Sequence, residues 1–131
     1  MSADVLQAVD AAKAVLAAVY IVPSGGKMGN TVAIADATGA LLQQLLDHAA
    51  EKTAVVAMGN PYLAADFPKI ENYMCTFSNA SVSELSAVKA LFGEIAIRGH
   101  LPVSIPNIAQ RGSGIERPIG VSALGVEHAQ K

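Results

Sequence analysis

The stretch Thr53-Ala-Val-Val-Ala-Met58, closed by Gly59-Asn60-Pro61, decides the fold class. It is too short for a stable helix, contains β-branched residues and, after Thr53, offers no polar side for water. Such a run suits a strand covered on both faces, as in parallel sheets. Working outward, Leu41, Leu42, Leu45, Leu46 and Ala49 recur at helical spacing and predict a helix from about Thr38 to Glu51. Further upstream, Leu16–Val22 is a second apolar run, ended by Pro23 and read as another strand buried on both faces. Residues 2–15 predict a helix with Ser2 as N-cap and Val5, Ala8, Val9 and Ala12 on one face. Downstream, Tyr62–Phe67 predicts a short helix before Pro68, and Tyr73–Phe77 a third strand. Val82–Phe92 predicts a helix that turns Val82, Leu85, Val88 (or Lys89), Leu91 and Phe92 toward the core and stops at Gly93. Leu101, Val103 and Ile105 alternate with other residues, which predicts an edge strand.

Alternating helices and buried strands predict an α/β protein. The expectation is a three-layer α/β/α sandwich over residues 1–106, with a mostly parallel sheet and an antiparallel edge strand, followed by an extended tail over residues 107–131. The first element is a helix and only three strands look central, so the sheet has an open edge. Either a partner covers that edge or the N-terminal part of the sandwich is incomplete.

Composition narrows the function. The chain has 131 residues, enough for one domain, and 9 Lys and Arg against 11 Asp and Glu, giving a net charge of −2. That balance provides no basic stripe for nucleic acid. No apolar run approaches the ~20 residues of a membrane helix. No leader sequence is read, which leaves a cytoplasmic location as the default. The single cysteine, Cys75, excludes an internal disulfide and a cysteine-based zinc site, and in an apolar strand it reads as a small core residue. His48, His100 and His128 have no ligand-like spacing, so no metal or cofactor is expected.

The loop Ser24-Gly-Gly-Lys-Met-Gly-Asn30 follows a strand, where a phosphate cradle could lie, but it matches neither the P-loop nor the dinucleotide pattern. No nucleophile elbow of the G-x-S-x-G type occurs. Of the carboxylates Asp36, Asp47, Asp66, Glu71, Glu84, Glu94 and Glu116, most fall on solvated helix faces or in connections, and none lies in the Gly-rich loop. No catalytic pair is therefore expected.

Several motifs are familiar in combination: Gly59-Asn60-Pro61-Tyr62, Asp66-Phe67-Pro68, Tyr73 and Cys75, Ala90-Leu91-Phe92-Gly93-Glu94, and Gly99-His100-Leu101-Pro102-Val103-Ser104-Ile105-Pro106. With them the chain resembles the C-terminal domain of family 3 glycoside hydrolases, in particular the bacterial β-N-acetylhexosaminidase branch. The match is clear from about residue 53 to 106 and looser back through the Gly-rich loop. The resemblance implies a sandwich that packs on a (β/α)₈ barrel holding the catalytic groups, with the barrel and the sandwich's first strand outside this chain. In the β-glucosidase branch a glutamate acid/base comes from the loop corresponding to Pro23–Thr31. Here that loop holds no acidic residue, a departure that fits the N-acetylglucosaminidase branch.

Three expectations follow. By resemblance, the chain is a non-catalytic sandwich domain of a β-N-acetylhexosaminidase-like enzyme, inactive when isolated, with Lys27 and Asn30 as its candidate substrate contacts. The alternative is a free-standing flavodoxin-like module that binds a small ligand or mediates oligomerisation. The open sheet edge, finally, predicts a homo-oligomer when the chain is isolated.

Overall fold

A computed structural model describes residues 1–21 and 36–123. The element order is α1 (Ala3–Ala11), β1 (Val15–Tyr20), α2 (Asp36–Ala49), a 3₁₀ turn (Ala50–Lys52), β2 (Thr53–Met58), α3 (Leu63–Asp66), β3 (Asn72–Thr76) and α4 (Ser81–Leu91). The three strands form one all-parallel sheet in the order β1-β2-β3. The protein is of the α/β class.

Strand β2 is buried from end to end, as a central parallel strand requires. On one face, Val19, Ile21, Val55 and Ala57 pack under Leu42 and Leu46 of α2 and under Leu63 and Phe67 around α3. On the other, Val56 and Met58 pack under Ala87 and Leu91 of α4. Where the chain leaves α2, the Thr53 hydroxyl donates to the Ala49 carbonyl at 2.6 Å, satisfying a helix-end acceptor inside the core. Helix α1 begins at Ser2, whose Oγ accepts from the Val5 amide. Polar contacts tie α1 to the end of α2: His48 Nε2 lies 2.6 Å from the Asp10 carboxylate, and Lys52 donates to the carbonyls of Asp10 and Ala12.

Gly93 ends α4 as expected. Its φ is +76°, the Gly93 amide donates to Ala90 O, and the Glu94 amide reaches back to Lys89 O, the paired bonds of a Schellman cap. A Cβ at this position would come within 3.0–3.1 Å of the Val121 backbone. The cap is therefore also a packing point for the C-terminal segment.

Four expectations need correction. Strand β1 is not buried on both faces: its burial alternates, with Leu16 44% and Tyr20 52% exposed, because no described helix covers its α4-side face. Helix α4 seats its small residue Ala87, with Leu91, on the sheet, and this turns Val82, Leu85, Val88 and Phe92 outward rather than into the core. Cys75 is half-buried rather than a core residue, because β3 lies at an edge of the sheet. The antiparallel edge strand is absent from the described residues. In Leu101–Pro106, Pro102 and Pro106 lack amide donors, and Asn107 (φ +61°) turns the chain so that Ile105 bridges to Ala109. The segment folds on itself instead of joining the sheet. No helix among the described residues is long and apolar enough to cross a membrane.

Candidate functional site

Beyond α4, two stretches run antiparallel without forming a ladder. Ile97 and Arg117 exchange backbone hydrogen bonds at 2.9 and 3.0 Å, Leu101 N–H donates to Ser113 O, and Gly112 N–H donates to Leu101 O. That register sets Gly114 across from His100. A Cβ on Gly114 would fall 2.6 Å from Gly99 O and 2.9 Å from His100 Nδ1, so only glycine lets the two stretches approach this closely.

Between this ribbon and the outer edge of β3 lies an apolar cleft of about 580 Å³. Its floor includes Tyr73, Met74 and Cys75, its far wall Ile97, Leu101, Ile105 and Ile115, and its polar groups include Glu71, His100, Ser113 and Arg117. The ribbon makes no backbone hydrogen bond to β3, whose outward N–H and C=O groups therefore face the cleft. A lining of this kind favours extended apolar ligands over hydrated sugars.

Several ionisable groups lie in or beside the cleft. His100 Nε2 lies 3.2 Å from Glu116 Oε1, but both side chains are about half exposed or more and Glu116 is outside the cleft lining. Burial pushes the Cys75 thiol above its usual range, which leaves it protonated and unreactive at neutral pH. Burial also pushes up the Tyr73 phenol, which donates to Pro61 O at 2.8 Å and so ties β3 to the turn after β2. Among the described residues no serine, threonine or cysteine side chain hydrogen-bonds to the His100–Glu116 pair.

The other carboxylates singled out in the sequence are dispersed. Asp47 accepts from Lys69 at 2.7 Å and from Gln43 at 2.7 Å, and these contacts hold its carboxyl below the usual range. Glu84 accepts from the Tyr20 hydroxyl at 3.1 Å. No group of three or more His, Cys, Asp or Glu able to hold a metal ion occurs among the described residues. Lys27 and Asn30, the candidate substrate contacts, lie outside the described residues, as does His128.

Sequence reasoning missed the cleft and the His100–Glu116 pairing. Both depend on the chain reversing between residues 101 and 113, a stretch whose alternation reads as an edge strand followed by a tail. The available signal was the Pro106-Asn107 step, a turn dipeptide between two apolar stretches. Compared with protein-family models, curated proteins and solved structures, the chain matches none.

Proposed function

We propose that this chain is a non-catalytic C-terminal sandwich domain of a β-N-acetylhexosaminidase-like family 3 glycoside hydrolase, packing on a catalytic (β/α)₈ barrel that lies outside it. One structural observation carries the reading. Val82 (70% exposed), Leu85 (57%) and Val88 form an apolar ridge on α4, a surface suited to burial against another domain. The dispersed carboxylates agree with it. Acetal hydrolysis by two carboxyl groups needs them about 5–10 Å apart across one bond, with one held protonated. Glu84 and Asp47 are each engaged elsewhere. The motifs running from Gly59-Asn60-Pro61-Tyr62 to Pro106 supply the family resemblance.

A chromogenic N-acetylglucosaminide tests this reading. The purified chain should give no turnover. Turnover that disappears in His100→Ala or Glu116→Gln would overturn it, since the chemistry would then reside in these residues.

The β3 cleft favours a second reading, a free-standing module of flavodoxin-like shape that takes a small apolar ligand. Titration calorimetry separates the two. Saturable micromolar binding of a small ligand, lost on Ile105→Lys, would favour the module.

A further inference from the structure

We propose that two copies of this chain join through β1, pairing antiparallel about a two-fold axis at Ala18 to make one continuous six-stranded sheet. The inference does not depend on the glycosidase reading. It starts from the direction of the backbone groups. Ile21 N–H donates to Met58 O at 3.1 Å across the β1–β2 pair. In a parallel strand, one residue's N–H and C=O point to the same side and the next residue's point to the other. Val15, Ala17 and Val19 therefore address β2, whereas Leu16, Ala18 and Tyr20 direct their backbone groups toward the outer edge. Among the described residues nothing hydrogen-bonds to that edge.

The same three residues carry the exposed side chains of the strand. One pairing therefore satisfies both the open backbone and the open apolar surface. A two-fold axis through Ala18 makes Ala18 face its own copy and sets Leu16 opposite the partner's Tyr20 at both ends. Each of these is a hydrogen-bonded pair that exchanges two N–H···O bonds. The smallest side chain sits where a residue must meet itself, and the larger ones form aliphatic–aromatic cross-strand contacts. Shifting the register by two residues leaves a large side chain without a counterpart.

Three further features favour a second copy as the occupant. Val15–Tyr20 contains no charged residue, proline or glycine, the devices by which exposed edges normally repel their own kind. A net charge of −2 offers little repulsion between copies. The β3 edge cannot accept a whole second sheet, because the ribbon of residues 97–117 stands beside it. Self-association is thus directed to β1, and isologous pairing there closes at two copies.

The test uses the full 131-residue chain in sedimentation and light scattering. Wild type should be a dimer. Ala18→Lys places two ammonium groups on the axis and should give a monomer with unchanged circular dichroism. Ala18→Pro removes an outward N–H that makes no bond to β2 and should also give a monomer, so the inference does not rest on one variant. Val82→Lys, on α4 away from the edge, should remain a dimer. In a Cys75→Ala background, Ala18→Cys should form an intermolecular disulfide on mild oxidation, because Cα atoms of a hydrogen-bonded antiparallel pair lie about 5.5 Å apart, within disulfide range. Val82→Cys should not. A monodisperse monomer at high concentration overturns the proposal, and so does a dimer that survives both Ala18→Lys and Ala18→Pro.

Discussion

The two faces of the sheet are built from the same three strands, yet one is closed and the other is half open. Under α2 and α3, side chains from all three strands join a continuous core that includes Val19, Val55, Ala57, Leu42 and Leu46, with Tyr73 and Cys75 at its margin. Under α4 the core holds Val56, Met58, Ala87 and Leu91, and stops short of β1. The helix that would have to shield Leu16 and Tyr20 packs instead on Val56 and Met58 of β2 and Met74 of β3, and the Tyr20 hydroxyl donates to its Glu84. Among the described residues, the apolar side chains that β1 leaves exposed, Leu16 and Tyr20, lie on the open face.

The contrast is most exposed to leucine truncation. Leu46→Ala, in the closed core, should cost about 2–5 kcal/mol in urea unfolding, from lost burial and the cavity left behind. Leu85→Ala, on the open side, should change stability by less than about 0.5 kcal/mol. Equal losses from the two would break the distinction. Next in size is Gly93→Ala, expected to cost at least about 1–2 kcal/mol, since φ is +76° and the new methyl would press on the Val121 backbone. A neutral result would mean that the residues around Val121 do not lean on the α4 cap. The smallest effect is at Asp47, where contacts with Lys69 and Gln43 lower the carboxyl's pKa in the folded state. A depressed folded pKa contributes stability that is present above the unfolded value and lost as pH falls through the folded one. Asp47→Asn should therefore lag slightly behind wild type near neutral pH, with the gap closing in acid and shrinking in high salt. A gap that widens in acid would reverse the assignment.

How much of this could be read beforehand differs by region for physical reasons. Strand β2 was legible as a buried strand because Thr53–Met58 is apolar after its first residue and is closed by Gly59-Asn60-Pro61. Strand β1 reads the same way in sequence, but an apolar run does not say whether both of its faces are covered. Alanine and leucine look alike whether a helix or water lies above them. In α4 the apolar spacing marks a ridge correctly, yet its smallest member, Ala87, sits in the contact because close approach to a sheet favours small side chains. The alternation in Leu101–Ile105 was real, but proline and the left-handed Asn107 bend it away from the sheet. The His100–Glu116 pair arises from a chain reversal that local periodicity cannot register. Lys27 and Asn30, chosen from the Gly-rich loop, fall outside the described residues.

Amide hydrogen exchange, resolved by residue and recorded at a dilution where the protein is monomeric, tests the half-open sheet most directly. We expect Val55 and Ala57 in β2 to exchange only with global unfolding, Ala17 and Val19 to be protected by β2, and Leu16, Ala18 and Tyr20 to exchange quickly. Strong protection of Leu16, Ala18 and Tyr20 in the monomer would contradict it, because their amides would then already have partners and the edge of β1 would not be open.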